Sequence, residues 1–362
     1  MEDLHSHLNH SMSPSDDPDH HSDISTALLD TLSLTRVYLS AAGVFIALFG
    51  MGCVISIKDF SERENHLSKS VVIGLAFQSF IQPAIGYALA LLLDMKENEA
   101  LTIIMLAISP VSPLCAVLVY YGEGVVIVGL CLAMLSTALS VGLIPFWFSL
   151  YSTTWSHEYY VIAPPINIVL TELLIFFPTL LGVMYQRRFG KLKGRLMAKI
   201  CSFGFWIASI VSPIVNAGVN PDFYDVSWQI WVGAICLPVI GFVCGLVFAL
   251  FASLPFDVCS AISLAVGVPN VYIMSQISER YLSADPNTLH DVHGIINIFS
   301  FVMPIEGFIW AILYRVIEEM FVKLTPTCCS GGIDDADDSD TKRLLVNMDS
   351  GTESAENAES AT

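Results

Sequence analysis

Nine stretches of this chain are apolar over about 18 residues or more, the length a helix needs to cross roughly 30 Å of hydrocarbon. They run over 34–57, 70–93, 99–121, 125–151, 161–185, 198–218, 228–251, 256–278 and 294–321. Each is apolar without a break and lacks the two-residue alternation of a half-buried strand, which argues for helices rather than a barrel. Only 14% of the residues are charged, too few to cover a body that is 54% hydrophobic in water. The net charge of −18 sits largely in the ends. Residues 1–33 hold seven acids and no Lys or Arg, and residues 324–362 hold nine acids and two bases. This distribution excludes a water-soluble enzyme, a nucleic-acid binder and a disulfide scaffold. It predicts an all-α polytopic membrane protein with a body at 34–323 between two acidic tails.

Basic residues set the expected orientation. Lys58, Arg63 and Lys69 follow the first span, six more from Arg187 to Lys199 follow the fifth, and Arg315, Lys323, Lys342 and Arg343 follow the last. Arg36, Lys96 and Arg280 fall on the other side, so an outside N-terminus and a cytoplasmic C-terminus are predicted. The first 30 residues are polar and acidic without a basic start, which is not the pattern of a cleavable signal. Asn9-His10-Ser11 is a glycosylation sequon on the predicted outside. Five histidines share that tail without cysteine or regular spacing, so a solvated segment is expected rather than a metal site.

Two spans should be broken. The third carries Ser109-Pro110-Val111-Ser112-Pro113 and the eighth Gly267-Val268-Pro269-Asn270. Proline removes a helical hydrogen bond and clashes with the preceding turn. The backbone groups it frees survive at membrane depth only inside protein or beside a wet cavity. Matched breaks beside polar residues point to the central site of a secondary transporter, with Ser112, Pro113, Pro269 and Asn270 as its candidates.

Leu48-Phe49-Gly50-Met51-Gly52-Cys53, Phe77-Gln78 with Gln82-Pro83, and Ser109-Pro110 resemble the bile acid:sodium symporter family (solute carrier family 10). Ser136-Thr137 with Pro145, and Gly267 with Asn270-Val271, extend the resemblance across about 35–322. It implies a panel domain (about 34–57 and 161–218) and a core domain (about 70–151 and 228–321) built as an inverted repeat. The two broken helices of the core cross near the midplane. It also implies alternating-access transport of bile acids, sulfated steroids or related organic anions with sodium. The sodium-binding Ser and Asn of the family's third span fall here on Cys115 and Ala116, and two hydroxyl ligands of the fourth on Gly129 and Ala133. The glutamate and glutamine of the eighth fall on Ala265 and Pro269, leaving Gln78 and Asn270. Sodium needs oxygen donors, so weakened or lost sodium coupling is expected. The alternative is a receptor, sensor or vesicle protein that keeps the fold without transporting.

Glu172 and Glu306 are acids at membrane depth, hence candidates for proton coupling or for lining a pathway, whereas Asp257 reads as a helix-start residue. Cys328 and Cys329, just past the last span, are candidate palmitoylation sites. Asp340 followed by Leu344-Leu345 resembles an acidic dileucine signal for clathrin adaptors, which would place the protein at the plasma membrane or in endosomes. No metal site, cofactor or nucleic-acid partner is expected; the partners implied are the lipid bilayer and a small organic anion.

Overall fold

The computed structural model describes residues 38, 41–55, 64–155, 165–219, 226–281 and 286–324. The sequon at Asn9, the cysteines Cys328 and Cys329, and the signal at Asp340, Leu344 and Leu345 lie outside the described residues. The described chain up to Val316 forms one compact unit.

The described residues form helices joined by short turns. In chain order they are α1 (Ala41–Gly52), α2 (Glu64–Ala76), a single π turn (Phe77–Ile81), α3 (Gln82–Leu92), α4 (Glu97–Ile108), α5 (Leu114–Tyr121) and α6 (Val126–Ser152). Then follow α7 (Pro165–Phe189), α8 (Lys191–Val219), α9 (Trp228–Phe251), α10 (Phe256–Gly267), α11 (Val271–Tyr281) and α12 (Pro286–Leu324). Five stretches are each long and apolar enough to cross a bilayer: Leu67–Leu92, Val126–Ser152, Lys191–Val215, Trp228–Phe251 and Val292–Met320. Their outward faces carry large apolar side chains, such as Leu92 and Phe251 at 81% exposure, which water would not tolerate in such number. The protein is an all-α integral membrane protein.

Both expected breaks are present: α4 ends at Ile108 and α5 starts at Leu114, and α10 ends at Gly267 and α11 starts at Val271. Proline alone does not cause them. Pro145, Pro178, Pro213, Pro238 and Pro304 lie inside helices that continue past them. The π turn was not foreseen, and Pro83 supplies a reason for it. Its ring cannot follow the Ser79 carbonyl in a normal α turn, and the widened turn hands Phe77 O to the Gln82 N–H instead.

Helices α9 and α10 approach closely along Gly241 and Gly245, a small-xxx-small pair. A Cβ at Gly241 would stand 2.8 Å from the Gly267 Cα, and one at Gly245 2.9 Å from the Ser263 Cα. At the opposite end of α10, the Val125 N–H donates to Asp257 O (3.2 Å), tying the start of α6 to the start of α10. Glu123, in the adjoining turn, pairs with Arg315 at 2.9 Å. Gly241→Val forces backbone apart and should cost about 1–3 kcal/mol, typical of overpacking. The expected readout is a lower thermal midpoint of the detergent-solubilised monodisperse peak.

Candidate functional site

The two breaks meet. Val111 and Pro269 form an antiparallel bridge, in which the Ser112 N–H donates to Val268 O (2.9 Å) and the Asn270 N–H to Pro110 O (2.8 Å). Val111 and Val268 are fully buried and Asn270 is 2% exposed. Two unwound segments that would each leave backbone groups unpaired thus satisfy one another.

Side chains complete the accounting. Pro110 has no N–H for the carbonyl of Leu106, and the Ser109 hydroxyl donates to that oxygen at 2.8 Å. Pro113 likewise leaves Ser109 O, which receives the Gln78 amide N–H at 2.6 Å. The Val111 N–H donates to the Ser136 hydroxyl (3.0 Å) and the Leu114 N–H to the Ser112 hydroxyl (3.3 Å). Gln78 is held for its role by the π turn, where it is buried. Asn270 caps α11: its Oδ1 accepts the Ile273 N–H at 3.3 Å. That bond fixes which end of the amide is oxygen, and the Nδ2 donor is buried without a partner.

Of the candidate residues, the structure brings Gln78, Ser112, Pro113, Pro269 and Asn270 to the crossing. Cys115 lies one residue into α5 and points elsewhere. Cys115, Ala116 and Ala133 are fully buried, and a Cβ on Gly129 would sit 3.6 Å from the Cys115 Sγ, 3.6 Å from the Ala116 Cα and 3.4 Å from Val119. Three of the positions where the resemblance puts sodium ligands, Cys115, Ala116 and Gly129, are therefore packed against one another. Thr137 turns back to donate to Ala133 O at 2.7 Å. This donor set does not fit sodium, because it offers a thiol, methyl groups and a bare Cα in place of oxygens.

Beside the crossing lies a cavity of about 200 Å³, lined by α1 (Gly43, Val44), the breaks (Ser112, Leu114, Val271), α8 and α12. Its polar groups are the hydroxyls of Ser112, Ser209, Ser212 and Ser300. The helices α5 and α11 both begin at its wall, presenting the positive ends of their dipoles. Ser109 and Ser136 stand in the motifs that carry the family resemblance, but their backbone-capping roles at the crossing were not expected from the sequence. Sequence reasoning missed Ser209 and Ser212, spaced three apart beside Pro213.

Of the acids, Glu306 is half-buried on α12, with Oε2 buried and unpartnered. Glu172 falls on α7, with its side chain outside the described residues. Asp257 is in the first turn of α10, the helix start expected of it.

The match to the model of the Sodium Bile acid symporter family covers residues 41–220, which include α1, the first break and α6. Over about half its length the chain resembles this family. It is 23% identical to the human ileal sodium/bile acid cotransporter over 257 residues, 70% of this chain and 72% of the relative. The rabbit protein of that name is 24% identical over 261 residues, 70% of this chain and 72% of the relative. A bovine sodium-dependent organic anion transporter is 20% identical over 287 residues, 79% and 74% respectively. These relatives are transporters by name, not enzymes.

Gln78→Leu keeps the volume but leaves Ser109 O buried and unpaired. It should cost about 1–3 kcal/mol, seen as a lower thermal midpoint, while Ala88→Leu at an exposed position of α3 should not.

Proposed function

We propose that the protein is a secondary carrier of bulky organic anions, such as bile acids or sulfated steroids, that does not depend on sodium. On this reading nine helices cross the membrane, two of them broken, with α1, α7 and α8 forming a panel and the remaining helices a core. The substrate anion sits at the crossing, in the cavity between them, and alternating access comes from core moving against panel. The N-terminus is outside and the C-terminus cytoplasmic, at the plasma membrane or in endosomes. Asn9 would carry glycan, Cys328 and Cys329 palmitate, and Asp340 with Leu344-Leu345 would engage clathrin adaptors.

The observation that carries the sodium-independent reading is the mutual packing of Cys115, Ala116 and Gly129. Several oxygen donors would have to enter that packing to bind sodium. Support for an anion comes from the other side of the crossing. The cavity wall offers hydroxyls and two helix starts, and the Asn270 Nδ2–H is a buried donor without an acceptor. Hydroxyls that can donate and the positive ends of helix dipoles suit an oxyanion. A cavity of about 200 Å³ is below the roughly 300–1,000 Å³ of sites that enclose drug-sized ligands, so it holds the head and part of the body of such an anion.

Uptake of a labelled bile acid or sulfated steroid into cells expressing the protein should persist when sodium is replaced by choline. A steep sodium dependence with two-ion cooperativity would defeat the proposal, and no uptake under any cation would favour a receptor or sensor that keeps the fold.

If sodium does not drive transport, an acid within the spans can couple it to protons. Glu306 stands two residues beyond Pro304 of the cavity wall. Glu306→Gln should flatten the pH dependence of uptake, whereas Glu172→Gln should leave it unchanged; the check is initial uptake rate across pH 5.5–8, where about one residue class titrates unperturbed.

A further inference from the structure

Past one end of the cavity, three rings from three helices close on one another. Tyr121 ends α5, Trp206 lies on α8 and Phe308 on α12. Ring centroids are 6.2 Å apart for Tyr121–Trp206, 5.5 Å for Tyr121–Phe308 and 4.9 Å for Trp206–Phe308, all edge to face. Tyr121 is seven residues, about 10 Å along the axis, past the cavity residue Leu114. Phe308 is four residues past Pro304, and Trp206 three before Ser209 and next to Phe205, all three of these being cavity residues. The triangle therefore stands at the end of the cavity away from the crossing.

A second observation concerns polar groups in the same place. Ser202 and Trp206 are four residues apart on one face of α8, and the Tyr121 hydroxyl lies against both. Both Ser202 Oγ and Trp206 Nε1 are buried, and the hydroxyl stands near each without full hydrogen-bond geometry. A permanent core contact holds such groups in good geometry. One hydroxyl loosely shared between two buried polar groups is expected of a contact that parts in another state.

We propose that Tyr121, Trp206 and Phe308 form the gate that closes this end of the cavity, an inference that rests on the carrier reading above. Tyr121 and Phe308 belong to the core and travel together. Trp206 belongs to the panel, so the gate opens by withdrawing the indole from the other two rings. Water then reaches Ser202 Oγ and Trp206 Nε1 and satisfies them.

The test needs no substrate, so its failure is separable from failure of the carrier reading. Ser209→Cys places a thiol in the cavity. The full-length protein is exposed to a membrane-impermeant maleimide in right-side-out and in inside-out vesicles, and labelling at position 209 is read by peptide-resolved mass spectrometry. With the gate intact, labelling should come from one face. Trp206→Ala should raise labelling from the other face about tenfold, the population shift expected when two ring contacts are lost. Phe308→Ala, made separately, should act in the same direction, and Trp206→Phe should keep the protection. Trp310→Ala removes a tryptophan of α12 that donates to Ser263 and stands outside the triangle, and should leave labelling unchanged. Labelling from both faces with the gate intact, no rise in either alanine variant, or an equal rise with Trp310→Ala would overturn the proposal.

Discussion

The centre of this protein depends on one short pairing of backbone, Val111 against Pro269. Each unwound segment alone would leave N–H and C=O groups unpaired at a depth where water is scarce, at about 1–3 kcal/mol for each group. Crossed, the segments exchange the Ser112 N–H for Val268 O and the Asn270 N–H for Pro110 O. Neither break is stable without the other. This interdependence orients α5 and α11 so that both begin at the same cavity, and it fixes where an anion can meet two helix dipoles at once.

That pairing also explains the use made of the polar side chains around it. Ser109, Ser136 and Gln78 each complete a hydrogen bond that a proline or an unwound residue has left open. Gln78, one of two ligand side chains that the family resemblance leaves standing, is committed through its nitrogen to Ser109 O. A group serving as backbone repair is not free to coordinate an ion through that end. On the other flank, small residues fill the space without donors, and Gly129 brings α6 against Cys115 and Ala116. The polar capacity of the crossing has been spent on holding it together.

Much of this was legible in the sequence, because bilayer thickness imposes length and apolarity on every span. The helix at Trp228–Phe251 falls where hydropathy places it, residue for residue. The breaks were legible because Pro110, Pro113 and Pro269 stand beside Ser112 and Asn270. Proline alone would have misled, since Pro145 or Pro238 looks no different in composition yet leaves its helix whole. What separates the two cases is a partner far away in the chain, and Gln78 meets Ser109 across 31 positions. The π turn at Phe77–Ile81 changes hydrogen-bond register and not residue type, so it leaves no trace in a pattern of apolar residues. Tyr121 and Trp206 read as ordinary aromatic residues of apolar helices until the third ring is placed beside them.

On the proposed reading of a carrier that does not depend on sodium, directionality has to come from elsewhere. An ion drives transport only through differential affinity for the two states of the carrier. On that reading, net flux follows the gradient of the anion itself, of an exchanged anion, or of protons. Exchange asks least of this site. On the proposed reading, the helix starts at Leu114 and Val271 and the cavity hydroxyls receive a second anion as well as the first. A site built of donors favours moving loaded in both directions, whereas a cation-coupled site must also be able to return empty.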